Sequence, residues 1–167
     1  MGKREGLLRI LAILAYILVV SVVLLLLGMK IGRPLVLVEV QNVHHILSLL
    51  GVPNVPMGTM IYIPGINLSF RITWQCSGMF SMSVYTIVYL TFPGIRKDVF
   101  RWLLGVSVLY IVNLMRIAVA IYLYVVSGER AFSLFHYTVG PILMFVVMVL
   151  LLGDVMSRRL KEVGQSI

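Results

Sequence analysis

Three side chains, well separated along the chain, could carry covalent chemistry: Cys76, Arg116 and His136. Cys76 is the only cysteine, so an internal disulfide is excluded and a free thiol remains. Taken alone, such a thiol is a small buried filler, a metal ligand or a nucleophile. In "NLSFRITWQCSGMFS" (67–81) an alternating run gives way to an apolar one at Cys76. That places the thiol on the first turn of an expected helix, where the positive end of the helix dipole favours thiolate. Gly78, two residues on, leaves room for a substrate backbone to come close.

Arg116 lies inside "IVNLMRIAVA", well within an apolar run. A charge buried in a membrane span costs about 2.5–3.5 kcal/mol on insertion scales, so it faces a polar cavity and marks function, or anchors loop carbonyls or lipid phosphate. Near Cys76 its guanidinium would favour thiolate further. Asn113, three residues earlier, shares its helix face and can hydrogen-bond either Arg116 or a substrate carbonyl. His136 alone reads as an interfacial histidine; beside a thiolate it becomes the acid/base that cysteine chemistry needs. Arg71 falls on the polar face of the run before Cys76, close enough in sequence to touch a substrate.

These residues converge only if apolar segments position them. Four spans are expected, at 7–29, 76–93, 102–126 and 136–153. The first is roughly 34 Å long as a helix, enough for a hydrocarbon core of about 30 Å. It is too long for the apolar part of a signal peptide, and no small-residue cleavage site follows. Lys3, Arg4, Arg9, Arg96, Lys97, Arg101, Arg158, Arg159 and Lys161 fall on one side of these spans, and Lys30, Arg33, Arg71 and Arg130 on the other. The positive-inside rule puts both termini in the cytoplasm, and Cys76 and His136 at the outer mouth. Counted from Trp102, Arg116 stands about 21 Å above the cytoplasmic edge, free to snorkel toward the same face.

The segment 30–75 is then extracytoplasmic. Pro34 suits the first turn of an amphipathic helix running to Leu50, with Gln41, His45 and Ser48 on its polar face and Gly51 as its C-terminal cap. Ile66, Leu68, Phe70 and Ile72 alternate with Asn67, Ser69, Arg71 and Thr73, the pattern of a half-buried strand. Pro64-Gly65 supplies a turn before it, so a small β-hairpin is expected on the bundle top.

Composition agrees with this organisation. The 167 residues are 60% hydrophobic and only 12% charged, with a mean hydropathy of +1.04. Soluble domains carry about 25% charged residues, so the chain reads as a single integral membrane domain, 1–167. The net charge of +8 is spread over the ends of apolar runs and marks topology; no nucleic-acid motif accompanies it. The fold class expected is an all-α polytopic membrane protein: about four transmembrane helices, an extracytoplasmic amphipathic helix and a small hairpin.

In order along the chain, "LLGVP", a short strand pair, "CSGMFS" at a helix start, "NLMRI" in the next helix and "HYTVG" at a membrane edge resemble the exosortase/archaeosortase family over roughly 49–153. The resemblance implies a membrane cysteine transpeptidase. Its catalytic cysteine falls on Cys76, its arginine on Arg116 and its third catalytic position on His136. By the same resemblance the partner is the C-terminal tail of surface proteins: a short motif, a transmembrane helix and a basic cluster. A lipid or other acceptor receives the cleaved protein, and no cofactor is implied. Two features depart from the family pattern: about four spans where full-length members have about eight, and "CSGM" where an arginine often follows "CSG". Both bear on the substrate motif. The rival readings are a non-enzymatic membrane scaffold and a zinc protein using His44, His45, His136 and Cys76. The zinc reading is disfavoured because adjacent His44 and His45 diverge on a helix, and no metal-type spacing occurs.

Overall fold

The computed structural model describes residues 3–91 and 98–164. The order is α1 (Lys3–Leu49), β1 (Val55–Met57), β2 (Met60–Ile63), β3 (Leu68–Arg71), α2 (Met79–Thr91), α3 (Val99–Ser127), α4 (Glu129–Leu134) and α5 (Gly140–Gly164). Pro93, the expected end of the second span, and the basic residues Arg96 and Lys97 lie outside the described residues.

Two helical stretches among the described residues have the length and hydropathy to cross a bilayer, Val99–Ser127 and Glu129–Ser157; Met79–Leu90 is apolar but shorter. Half of the apolar window of α3 is buried, against 11% of the window running through α5. So α3 is the central helix, and α5 turns its apolar side chains outward, where lipid would take them. Asp98 caps α3 by accepting from the Arg101 backbone N–H at 3.1 Å.

The amphipathic helix expected to open at Pro34 is not separate. A single 47-residue helix, α1, runs through Pro34 to Leu49. An interior proline removes one hydrogen bond. Here the neighbouring turns are held by packing: Val36, Val40, Val43 and Leu47, spaced three and four apart, are all buried against α3 and the sheet. The polar face is as expected, with Gln41, His45 and Ser48 exposed. Gly51 ends the helix at φ +74°; its N–H bonds Ser48 O and the Val52 N–H bonds Leu47 O, the paired closure of a Schellman cap.

The expected hairpin is instead a three-stranded antiparallel sheet in the order β1-β2-β3. The extra strand, Val55–Met57, is only three residues long and holds Pro56, so it carries no alternation to read; proline is tolerated there because β1 is an edge. The strand expected over 66–73 shortens to Leu68–Arg71, because Pro64–Ile66 forms a 3-10 turn closed by Asn67 at φ 50°. Ile61, Ile63 and Ile72 carry the sheet onto α1 and onto Leu114, Ile117 and Ala118 of α3. A second cluster, Tyr85, Tyr89, Leu109 and Met144, joins α2, α3 and α5 at the far end.

Two further boundaries differ from expectation. The second helix begins at Met79, so Cys76 lies in the turn ahead of it and not in its first turn. The cause is Gly78, whose φ of +64° lies outside the helical region. The fourth helix does not open at His136. It starts at Glu129, directly after Gly128, so the expected loop 127–135 is mostly helix. A π-turn, Phe135–Val139, separates α4 from α5, with the Gly140 N–H bonding Phe135 O. Pro141 follows at once; it offers no N–H, and its ring crowds the carbonyl of the preceding turn, which a widened turn relieves.

Candidate active site

Cys76, Arg116 and His136 come from three different elements and meet beneath the sheet. The turn Thr73–Gly78 leaves β3 and is held by its own hydrogen bonds: Cys76 N–H to Thr73 O at 2.9 Å and Ser77 Oγ to Trp74 O at 2.6 Å. Cys76 is half-buried, and the Thr73 hydroxyl donates to its Sγ at 3.4 Å. The His136 imidazole lines the same cavity as the thiol. It is oriented by stacking on Phe132 at 5.1 Å and 8°, with the Tyr137 ring edge-on at 4.9 Å. Phe132 packs in turn on Phe70 of β3 and Tyr124 of α3, so one aromatic cluster sets the height of the imidazole over the sheet.

Cys76 lies outside the membrane-crossing helices, and its thiol is drawn down from the ordinary 9.0 to about 7. The hydrogen bond with His136 is the largest cause; burial opposes it, and the Thr73 hydroxyl adds to the lowering. A thiol so placed is substantially thiolate near neutral pH, the form that attacks a carbonyl.

Arg116 does not reach Sγ through a hydrogen bond. Its Nη2 donates to the backbone carbonyl of Cys76 at 2.8 Å, and its Nε donates to Asn113 Oδ1 at 3.2 Å. The guanidinium therefore pins the cysteine turn and sets a positive charge beside the sulfur. Gly140 makes room for this arginine: a Cβ there would meet Arg116 Cδ at 2.9 Å. Gly78 plays the same part for Asn113, since its Cβ would stand 2.9 Å from Asn113 Cγ. The neighbour lying against Gly78 is thus the Asn113 side chain.

Two cavities flank the Cys76–Arg116 pair. One, of about 310 Å³, is lined by Cys76, His136, Tyr137 and Ile117, with Ser69 and Arg71 of β3 along one wall. Arg71 is exposed, on the outward face of its strand. The other, of about 290 Å³, has Gln75, Asn113 and Arg116 at its polar end and Met144, Phe145 and Met148 along its apolar wall. His44 is engaged elsewhere: its Nδ1 meets Asn54 Oδ1 at 2.7 Å, tying the end of α1 to the next loop.

One participant was not anticipated. Glu39 of α1 is completely buried and accepts from Asn113 Nδ2 at 3.4 Å. Its signal was present: Glu39 shares the stripe of Val36, Val40 and Val43, not the polar face of Gln41 and His45. Nearby, Asn42 Nδ2 donates to Tyr110 Oη at 2.9 Å, a second polar tie between α1 and α3.

Long apolar helices with outward-facing side chains, together with a thiol and an imidazole lining one cavity, define a membrane protein with a candidate cysteine-based site. The profile described as transmembrane exosortase matches residues 2–153, and the chain belongs to that family. Membership points to a membrane cysteine peptidase or transpeptidase. No curated protein and no solved structure matches the chain significantly.

Proposed function

We propose that the protein is a cysteine transpeptidase that cleaves the C-terminal sorting tails of surface proteins at the outer membrane face and passes them to a lipid or to water. The observation that carries this reading is that Cys76 and His136 line one open cavity, with the cysteine turn pinned by Arg116. The thiol proton passes to His136, and Sγ attacks the scissile carbonyl. The guanidinium of Arg116 stabilises first the thiolate and then the oxyanion, in a low-dielectric site where such contacts are strongest. The C–N bond breaks as His136 returns the proton to the leaving amine, leaving a thioester. His136 then takes a proton from the acceptor hydroxyl, amine or water; the acceptor attacks, and the cysteine is released.

In this reading the extended part of the tail lies along β3 in the cavity that holds Cys76. Its transmembrane helix, or the acceptor lipid, approaches the apolar wall of Met144, Phe145 and Met148. Co-expression with a protein bearing such a tail tests the proposal. Intact-mass spectra of the enzyme should show an acyl adduct on Cys76, and C76A should abolish both adduct and processing while leaving thermal unfolding unchanged. Normal processing by C76A would overturn it; an unprocessed tail beside an unreactive Cys76 would favour a scaffold.

A further inference from the structure

We infer that Glu39 is a positioning residue: by fixing the sense of the Asn113 amide, it aims the Arg116 guanidinium at the cysteine turn. The inference rests on Cys76 being the nucleophile.

A fully buried carboxyl group needs a reason. Glu39 has no exposed surface, and its Oε2 has no hydrogen-bond partner among the described residues. Its neighbours on the same stripe are Val36, Val40 and Val43, and among the described residues its carboxyl group has one hydrogen bond, from Asn113 Nδ2. Burying such a group is unfavourable, and an apolar residue at this point of the stripe would pack without that cost. What an apolar residue could not do is orient an amide. Asn113 faces Glu39 with its NH2 group and Arg116 with its oxygen. If the amide were reversed, its NH2 would oppose a guanidinium that only donates, and its oxygen would oppose an acceptor. Glu39 and Arg116 thus select the same orientation from opposite sides.

The consequence is a continuous relay. Glu39 Oε1 accepts from Asn113 Nδ2, Asn113 Oδ1 accepts from Arg116 Nε, and Cys76 O accepts from Arg116 Nη2. It links α1, α3 and the cysteine turn across separations of 74 and 40 residues. Asn113 also rests against Gly78 inside that turn, so its placement is constrained on a third side. Such a network is worth more than its separate pairs, and a double-mutant cycle measures it.

A rival role is distinguishable by sign. As a mere counter-charge, Glu39 would oppose thiolate formation, and its removal would make Cys76 more reactive. As the anchor of the relay, its removal frees Asn113 and Arg116, and Cys76 becomes less reactive. The charged and titratable groups that face Cys76 among the described residues are His136, Arg116 and Glu39, with Arg71 and Tyr137 on the wall of the same cavity.

Because Cys76 is the sole cysteine, the test needs no substrate. The full chain in lipid nanodiscs is alkylated with iodoacetamide across a pH series and followed by intact mass, for wild type, E39Q, E39M, N113A and E39M/N113A. E39M should slow alkylation at neutral pH roughly fivefold, equivalent to raising the thiol midpoint by about one unit from about 7. E39Q, which keeps an acceptor for Asn113, should stay within about threefold of wild type. N113A should match E39M, and the double variant should be no slower than N113A alone. The inference is overturned if E39M reacts at the wild-type rate or faster, if E39Q is as slow as E39M, or if the two losses multiply. Should E39M not fold, N113A carries the same test: wild-type reactivity there overturns the relay equally. An inert thiol in the wild type would sink the nucleophile reading itself, a result distinct from any of these.

Discussion

The site separates tasks among residues that the sequence makes look alike in importance. His136 shares the cavity of the sulfur and lowers its pKa, Arg116 holds the peptide next to it, and Asn113 and Glu39 hold the arginine. The direct partner of the thiol therefore has the larger effect on its acidity. Cys76 is an acid whose anion is stabilised, so its reactivity rises as pH climbs through about 7 and is lost below it. H136Q removes the largest of the stabilising contacts, and the midpoint should move up toward the ordinary 9.0. The first unit of that shift costs about fivefold in thiolate near neutral pH, and each further unit about tenfold. The expected outcome is an iodoacetamide rate more than tenfold below wild type at neutral pH, recovered in alkaline buffer. A rate that stays depressed in alkaline buffer would mean that the substitution closed the site and did not merely change its acidity.

At the level of elements, the positioning devices are turns that break the helical pattern, and here the sequence was only partly legible. The apolar runs, the capping role of Gly51, the polar face of α1 and the alternation over Leu68–Arg71 could be read from short-range spacing. So could the presence of Cys76, Arg116 and His136 at one end of the bundle. The continuity of α1 through Pro34 could not, because it depends on tertiary packing of Val36, Val40 and Val43. The π-turn before Pro141 and the short strand β1 were hidden for the same reason: local signals there are shorter than the periods one reads. Gly78 and Gly51 separate a backbone requirement from a packing one. Both hold positive φ, +64° and +74°, but a Cβ on Gly51 meets nothing within 4 Å, whereas one on Gly78 runs into Asn113. Alanine in a left-handed conformation costs about 1–2 kcal/mol. G51A should therefore lower thermal stability by about that amount and leave Cys76 alkylation unchanged. G78A should lower stability by more and also suppress alkylation, since Asn113 and with it Arg116 must shift. Equal reactivity in the two variants would show that the Gly78–Asn113 contact does not govern the site.

On the scale of the whole molecule, the candidate site and the larger core cluster share one end, and a smaller cluster with its own polar contacts stands at the other. The sheet, the C-terminal halves of α1 and α3, and α4 surround Cys76, with Phe70, Tyr124 and Phe132 closing their contact. At the opposite end Tyr89 Oη donates to Asp98 O, Trp102 Nε1 donates to Thr86 Oγ1, and Arg101 pairs with Asp98 at 2.6 Å. The sequence places most of its Lys and Arg beyond that second end, Arg158, Arg159 and Lys161 among them, and a lipid bilayer retains such an excess on its cytoplasmic side. The cysteine end would then face outward, the side on which the proposed tail would lie. With a single native cysteine the orientation is directly measurable: C76S supplies a cysteine-free chain into which one thiol at a time is returned. Glu129, exposed at the start of α4, and Ser157, exposed near the end of the apolar stretch, lie at opposite ends of one helical path of 29 residues, roughly 44 Å. That exceeds the hydrocarbon thickness of about 30 Å, so a path that crosses the membrane would put the two positions on different sides of it. A membrane-impermeant maleimide applied to intact cells should label E129C and spare S157C, which reacts only after permeabilisation. The reverse pattern would put Cys76 in the cytoplasm, where it could not meet an exported tail, and would leave the thiol chemistry intact but its proposed substrate wrong.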